Sequence, residues 1–481
     1  MVLQQNKTVP VWGVAQPGEL ISVKIGRQIK RTIANKNGKW QILLEPVPIG
    51  KTYEMVISGK NTIRLTNVAV GEVWVCSGQS NMSWPLNRSR GGSRFIKDSK
   101  NYPGLRRFDV VRTIHKKPQE DVKGIWYQGK KKIWRFSAVC YHFGLKLHKK
   151  LRVPVGLIHA SWGGTGAAAW TPMRILKSQR AFYPILARQK KWEKRGYKIG
   201  RWRYWKRYRR WRRAVKRARR RGRRIPRRPR RYRKRWHNNS PSALYNGMIH
   251  PLIPFAIRGV AWYQGESNVP RAYQYRKLFP ALIKSWRARW GQGNFPFIFV
   301  QLPPYRYRGL KTSAYNELVE AQTMTLMRVK NTAMAITNDL GSLYNLHFRR
   351  KHKVGKRLAT TALGSVYKKR KVYSGPIYVS MKIKKNKAFV YFRHSGSGLT
   401  SKKGRRLRYF MIAGEDKRFF RAKAKVNGRN TVVVWSKRVP NPVAVRLAWR
   451  DYMRPNLFNK EGLPASSFRT DKWKGITEGK F

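Results

Sequence analysis

Five short apolar runs constrain the fold of this chain more than any other feature: VAVGEVWVCSG (68–78), VPVGLIHASWGG (153–164), AIRGVAWYQGES (256–267), FPFIFVQL (295–302) and TAMAITNDL (332–340). Between them lie longer stretches of helical periodicity, among them FSAVCYHFGLKLHKKL (136–151) and LFPALIKSWRARW (278–290). Strands alternating with helices in this way predict a parallel α/β sheet. Residues 1–69 differ: LISVKIG, KWQILL and YEMVIS are β-rich runs separated by Gly, Pro and Asn turns, which predicts a small β-sandwich. From residue 373 the chain is strand-rich again, with PIYVSMKI, KAFVYF, TVVVWS and VAVRLAW ahead of a Pro/Asn/Gly-rich tail. The expected organisation is an N-terminal β-sandwich (1–69), an α/β domain (70–372) and a C-terminal β-rich region (373–481).

At 41% hydrophobic residues the chain holds enough apolar surface for real cores, and no run approaches the roughly 18 apolar residues of a membrane span. The opening MVLQQNKTVPVWG suits a strand and a turn, without the basic, apolar and small-residue regions of a secretory signal, so the compartment is unassigned. Cys76 and Cys140 make no disulfide framework and are expected as a reduced buried pair. Charge is the anomaly: 108 Lys and Arg stand against 19 Asp and Glu, a formal net charge of +89. Such a field attracts polyanions whatever the fold and strains the compact state by self-repulsion.

The charge is densest in residues 201–236, which hold 22 basic residues, no acid and seven Trp or Tyr. Trp202, Trp205, Tyr208, Trp211 and Val215 recur every three or four residues, predicting an amphipathic helix that Pro226 and Pro229 end, within a basic arm over 187–239. Two roles stay open for the arm. Its aromatic stripe packs on the α/β domain with the charges solvated, or it contacts nucleic acid or another acidic polymer. The rest of the chain still carries 86 basic residues, so the charge is chain-wide.

Four motifs sit where the apolar strands end. In GEVWVCSGQSNM (71–82) a strand runs into a Gly-containing turn that exposes the Ser80 hydroxyl and aims backbone N–H groups at a developing oxyanion. In PVGLIHASWGGTGAAAW (154–170), Gly163 and Gly164 permit close backbone approach to a ligand or simply a tight turn. GVAWYQGESN (259–268) places Gln264, Glu266 and Asn268 just past another strand, where open α/β sheets bind ligands. TNDLGSLYNLHF (337–348) supplies His347. His159 and His250 stand among apolar neighbours and are expected to be structural, and His352 is expected to be exposed. Glu266 is expected to pair with a basic neighbour rather than act as a general acid.

Together GQSNM, SWGGT, YNGMIHPL, IRGVAWYQGESN and NLFNKEGLPASSFRTD resemble, in order, the block motifs of the sialate O-acetylesterases, a branch of the SGNH hydrolases. The resemblance runs from Met1 to about Lys472, the arm sharing only a helical insertion. It implies a three-layer α/β/α, flavodoxin-like SGNH-hydrolase domain with flanking β-rich domains. It also implies a serine esterase that removes O-acetyl groups from sugars, with no cofactor and no metal. Ser80 would be the nucleophile and His347 its base. The oxyanion would be held by the Ser80 N–H, an N–H of Gly163 or Gly164, and the Gln264 side chain, with Asn268 as the second choice. Asn81, Asn268 and Glu266 are the candidate substrate contacts. Members of the family are typically secreted or periplasmic.

The chain departs from that pattern at one telling place. The family carries an acid two residues before its histidine, and here Asn345-Leu346-His347-Phe348 puts an amide there. In serine proteases the equivalent change lowers turnover roughly 10⁴-fold by favouring the wrong imidazole tautomer. Asp339 is either a substitute acid or structural. Two functions therefore remain open at this level. One is an acetylesterase whose positive field concentrates acidic glycans; the other is a polyanion-binding protein on a catalytically weakened hydrolase fold.

Overall fold

The computed structural model describes residues 1–229, 236–307 and 313–480, without the side chains of 196–201 and 403. Its centre is a seven-stranded sheet: β1 (Thr62–Gly78), β2 (Leu105–Val110), β3 (Gly124–Gln128), β4 (Val155–Ser161), β5 (Gly259–Tyr263), β6 (Phe297–Val300) and β7 (Thr332–Ala335). The strand order is β7-β6-β5-β1-β4-β2-β3, parallel throughout except for the antiparallel edge strand β3. β4 and β5 are buried along their whole length, as continuous apolar runs covered on both faces must be. The pleat shows how the two helix layers divide. Trp74 and Cys76 point to one face, where Trp74 meets Phe143 of α1 (Ala138–Leu151). Trp262, paired in register with Ser77, points to the other, against Trp286 of α2 (Ala272–Trp290). α3 (Lys351–Ser365) packs beside α1, and α4 (Ala314–Arg328) beside α2.

β2 and β3 are absent from the sequence-based strand set for a chemical reason. LRRFDV interrupts its apolar pattern with two arginines, yet Arg106 and Arg107 are both buried. Arg106 donates to the carbonyls of Met1 and Asn67 and to Asn67 Oδ1, which satisfies most of its guanidinium, whereas Arg107 donates to the Gly129 carbonyl and keeps Nε and Nη2 buried without an acceptor among the described residues.

The cysteines are not a reduced pair. Cys76 on β1 and Cys140 on α1 form a disulfide with 6.0 Å between Cα atoms, because α1 lies directly on the face toward which Cys76 points. Closing a loop of 64 residues is expected to stabilise the fold by roughly 4 kcal/mol through the unfolded chain's lost entropy. Cys76→Ser with Cys140→Ser should therefore lower the unfolding free energy in guanidinium titration by about that amount. A loss below about 1 kcal/mol would mean that the bond adds nothing to the packing already there.

The N-terminal region carries a separate core of Val23, Ile25, Ile42, Leu44 and Val68. Its strands Leu20–Ile25 and Lys39–Leu44 alternate exposed and buried residues, as half-covered antiparallel strands do. β1 runs through this region and into the parallel sheet without a break, pairing with Tyr53–Ser58 first and with β4 and β5 later. The C-terminal region has a third core around Val390, Val432, Val434, Ile412 and Leu447. It is tied to α4 by Asn316, which donates to the Ala448 carbonyl, and by Glu320, which pairs with Arg469.

The basic segment forms one long helix, the arm helix, Tyr183–Arg220. It begins earlier than the aromatic spacing indicates and stops before Pro226. Part of its stripe packs on itself and on the returning chain. Tyr208 stacks with Tyr204 and meets Trp211, and the returning chain lays Arg228 over Tyr208 and its Pro226 carbonyl against the Trp211 indole N–H. Trp202 and Trp205 stay exposed. Residues 230–235 of the arm lie outside the described residues. Among the described residues no helix is long and apolar enough to cross a membrane.

Candidate active site

The site lies at the C-terminal edge of the sheet, where β1 is flanked by β4 and β5 and the strand order changes direction. Gly78 ends β1 at φ 138°, and a Cβ there would stand 2.1 Å from the Tyr263 carbonyl oxygen, so the turn tolerates only glycine. The chain then enters a single helical turn, Ser80–Ser83. Gln79 anchors that turn to the loop after β5: its Oε1 accepts from the N–H groups of Gly265 and Ser267, both at 3.3 Å. Ser80 is thereby set half-exposed just past the C-terminal end of β1.

His347 Nε2 lies 2.8 Å from Ser80 Oγ. Two contacts hold the imidazole. Trp84 stacks on it with ring centroids 5.2 Å apart, and Asn81 Nδ2 donates to the Leu346 carbonyl of the same loop. Asn345 accepts from the backbone N–H of His347 at 2.8 Å, so its side chain fixes the loop and not the ring. Asp339 is not the missing acid. Both its oxygens are taken by Arg357, with Nη2 at 3.0 Å from Oδ2, and it makes no hydrogen bond to His347. A carboxylate clamped by a guanidinium is committed as a structural ion pair.

The oxyanion candidates separate on hydrogen bonding. Gly163 packs so closely that a Cβ there would stand 3.2 Å from Ser80 Cβ, and Gly164 adopts a left-handed φ of 72°. Among the described residues the N–H groups of Ser80, Gly163 and Gly164 have no acceptor. Gln264 differs from expectation. It is fully buried, its amide nitrogen donates to the Thr165 carbonyl and to Asn268 Oδ1, and its oxygen accepts from Tyr275. Both its N–H bonds are spent, so it supports the site and does not face a ligand. Asn268 accepts at Oδ1 from Gln264 and from the Ala167 N–H at 2.9 Å, which leaves its Nδ2 uncommitted.

Asn81 and Glu266 are likewise not placed to touch substrate. Both are buried, and Asn81 Nδ2 donates to Glu266 Oε1 at 2.6 Å while its Oδ1 accepts from Lys351. Glu266 is thus linked to a base through an amide, a variation on the pairing expected of it. Burial pushes its carboxyl up, against the Asn81 hydrogen bond. Lys351 is fully buried at the start of α3 and is pushed down to about 7 by desolvation, with Glu266 acting in the other direction. The sequence carried one signal for it. Lys351 leads the buried stripe Val354, Gly355 and Leu358 at helical spacing, and a lysine on that stripe must be paired.

Burial and then the Lys351 charge lower His347 below its ordinary 6.5. Only the neutral imidazole accepts a proton, so the acid limb of kcat/KM is expected below that value. Lys351→Met removes one of the two causes and should move the limb upward, toward 6.5, in a pH–rate profile. An unmoved limb would leave burial as the whole cause.

His250, His352 and His159 lie apart from the Ser80–His347 contact. His250 Nδ1 lies 2.8 Å from the Gln119 carbonyl. His352 is half-buried against His142 rather than exposed. His159 bridges Asp109 and Ser161 at 3.1 and 2.6 Å, which is the chemistry of a catalytic triad in an unsuitable place. Ser161 is 2% exposed, and its hydroxyl is shared with Ser83, so no ester can reach it. Among the described residues no cluster of His, Cys, Asp and Glu has the grouping of a metal site.

A family model described as carbohydrate esterase, sialic acid-specific acetylesterase, matches residues 231–364. The crystal structure of a carbohydrate acetylesterase from Xanthomonas citri superposes with a TM-score of 0.83 at 31% identity, covering 98% of this chain and 97% of that one. The sialate O-acetylesterase of Mus musculus is 29% identical over 417 residues, 78% of this chain and 74% of its own length. The human sialate O-acetylesterase is 28% identical over 417 residues, with 78% and 71% covered. The fold and these likenesses together define a carbohydrate esterase of the SGNH-hydrolase class. Within it, the chain belongs to the sialate O-acetylesterase family.

Proposed function

We propose that this esterase releases acetate from O-acetylated sugars, sialic acids or other acetylated glycans, through an acetyl-Ser80 intermediate. The observation that carries the reading is the 2.8 Å contact between His347 Nε2 and Ser80 Oγ beside unpartnered backbone N–H groups. His347 takes the hydroxyl proton as Ser80 Oγ attacks the acetyl carbonyl. The N–H groups of Ser80 and of Gly163 or Gly164, with Asn268 Nδ2, receive the oxyanion. On collapse, His347 returns the proton to the departing sugar oxygen. A water then repeats the sequence on the acetyl-enzyme, with His347 as its base, and frees acetate.

For this to work, the imidazole must carry its proton on Nδ1, which has no acid beside it among the described residues. Asn345→Asp keeps the acceptor for the His347 N–H and brings a carboxylate to the family's acid position. Its kcat should rise about tenfold, well short of the roughly 10⁴ that a fully placed acid is worth in serine proteases. No rise would leave Nδ1 to solvent in both proteins.

The general test is acetate release from O-acetylated sialic acid and acetylated xylo-oligosaccharides. Absence of turnover on every acetyl sugar and on simple acetyl esters would overturn the reading. The three buried cores support a division into 1–69, 70–372 and 373–481. The net charge of +89 supports salt-sensitive, sequence-independent association with polyanions as a property of the surface. No contact in the site favours polyanion binding as the chain's main function.

A further inference from the structure

A cleft of about 650 Å³ lies between the N-terminal region and the loop that joins β2 to β3, and none of its lining residues belongs to the Ser80 turn, to Gly163-Gly164 or to the His347 loop. One wall is a two-stranded ribbon. Val9–Val14 and Lys39–Leu44 pair antiparallel with Trp12 opposite Gln41 and Val14 opposite Lys39, so these four share a face, while Ile42 and Leu44 turn to the buried core. The other wall holds Glu120, Asp121 and His250, and it is pinned to the chain behind it. Asn246 Nδ2 donates to the carbonyls of His115 and Lys116 at 3.0 and 2.9 Å, and His250 Nδ1 lies 2.8 Å from the Gln119 carbonyl. The ion pair of Lys39 with Glu120 bridges the two walls.

The chemistry of this cleft is unlike that of the chain around it. Against 108 Lys and Arg and 19 Asp and Glu overall, two adjacent carboxylates stand here with Lys39 as the one Lys or Arg among the described residues that line it. Lys39 is bound to Glu120, and Asp121 has no basic partner among the described residues. An anion is therefore disfavoured here, in contrast to most of the surface. A cation calls for acceptors alone, yet donors are equally free. Gln41 makes no side-chain hydrogen bond among the described residues, and Asn35 spends Oδ1 on the N–H groups of Asn37 and Lys39 but keeps Nδ2. The free acceptors are Asp121 Oδ2, its Oδ1 being taken by the Val122 N–H at 2.7 Å, and His250 Nε2, because Nδ1 must carry the proton that the Gln119 carbonyl accepts. Trp12 adds a half-exposed indole, backed edge-on by Phe255 at 6.4 Å between ring centroids. Free donors and free acceptors around an aromatic face match a ligand whose hydroxyls do both and whose ring offers apolar C–H faces.

We infer that this cleft is a second, non-catalytic glycan site, which seats an uncharged pyranose chain on Trp12 and holds its hydroxyls with Gln41, Asn35 and Asp121. The site is independent of the esterase chemistry, since its ligand needs neither an acetyl group nor a charge. Walls already bridged by Lys39 and Glu120 and pinned by Asn246 need little ordering when the ligand enters. A polymer held there returns to the catalytic site at raised effective concentration, as linked binding sites do.

The test is calorimetry on the full chain with unacetylated cellohexaose, xylohexaose and mannohexaose, and with hexagalacturonate as the charged control. Working at about 0.5 M salt screens the general positive field. At least one neutral hexasaccharide should bind with a Kd below about 1 mM, and which one binds names the backbone the cleft accepts. Trp12→Ala should weaken that binding at least about tenfold, and Gln41→Ala and Asp121→Ala about fivefold each. The last two side chains are exposed, so their variants read the site even if Trp12→Ala disturbs the packing on Phe255. Failure of all three neutral chains to bind, or binding that none of the three variants weakens, overturns the inference. Tighter, Trp12-dependent binding of hexagalacturonate overturns it too, by making the ligand an anion. No turnover enters the measurement, so a missing esterase activity would refute the catalytic reading and leave this result intact.

Discussion

Ser80→Ala is expected to abolish hydrolysis of acetyl esters, with a fall in kcat of about 10⁶ by the measure of other serine hydrolases. The argument is geometric. Ser80 is the hydroxyl that combines half-exposure, an imidazole at 2.8 Å and unpartnered backbone N–H groups at its own turn and in Gly163-Gly164. His347→Ala should lose nearly as much, and the double variant no more than either single one, because nucleophile and base act as one unit. Any residue of activity then reports the oxyanion donors and substrate binding alone. The competing serine is Ser161, which has the His159–Asp109 chain behind it. Its burial rules it out, and turnover that survived Ser80→Ala but vanished in Ser161→Ala would reverse that conclusion.

The parts of this site legible in the sequence were those set by backbone. A strand ending in Gly-Gln-Ser and another ending in Trp-Gly-Gly announce their turns, since glycine marks places where a Cβ has no room, as at Gly78, or a tight fit, as at Gly163. What was not legible was the division of labour among polar side chains. Gln264, Glu266 and Asn268 lie within five residues at the end of β5, and their spacing does not say which hydrogen bonds are already spent. The answer depends on partners far along the chain. Tyr275 and Thr165 occupy Gln264, Asn81 occupies one oxygen of Glu266, and Arg357 occupies Asp339. The same holds for the fold. Apolar strands announced themselves, whereas β2 hid behind two buried arginines, Arg106 on the carbonyls of Met1 and Asn67 and Arg107 on that of Gly129. The disulfide needed the knowledge that α1 lies over Cys76.

The charge also looks different once partners are known. Several of the few acids are inside and occupied: Glu72 by Arg258 and Tyr367, Glu317 by the backbone of Ile476 and Thr477, Asp471 by Arg446. Each of these three carboxylates satisfies donors that would otherwise be buried without a partner. Internal ion pairs of this kind thus coexist with a formal charge of +89.

The second large effect is expected at Asn268. Asn268→Asp is the informative change because it is nearly isosteric. An aspartate still accepts from Gln264 and from the Ala167 N–H, so the loop keeps its shape, but the free Nδ2 donor becomes an oxygen. The developing negative charge then meets an acceptor where it needs a donor. Turnover should fall by about 10²–10³ or more, with little change in KM, since the contact forms only as the carbonyl oxygen becomes an oxyanion. Gln264→Glu predicts a contrasting result. It removes a donor that serves the Thr165 carbonyl and Asn268, and adds a charge to a fully buried position beside Tyr275. The loss should therefore appear first as reduced thermal stability, from an uncompensated buried charge. If Asn268→Asp keeps wild-type kcat while a stably folded Gln264 variant loses it, the two residues exchange roles. The buried amide would then have to release a partner and turn toward the ester during the reaction.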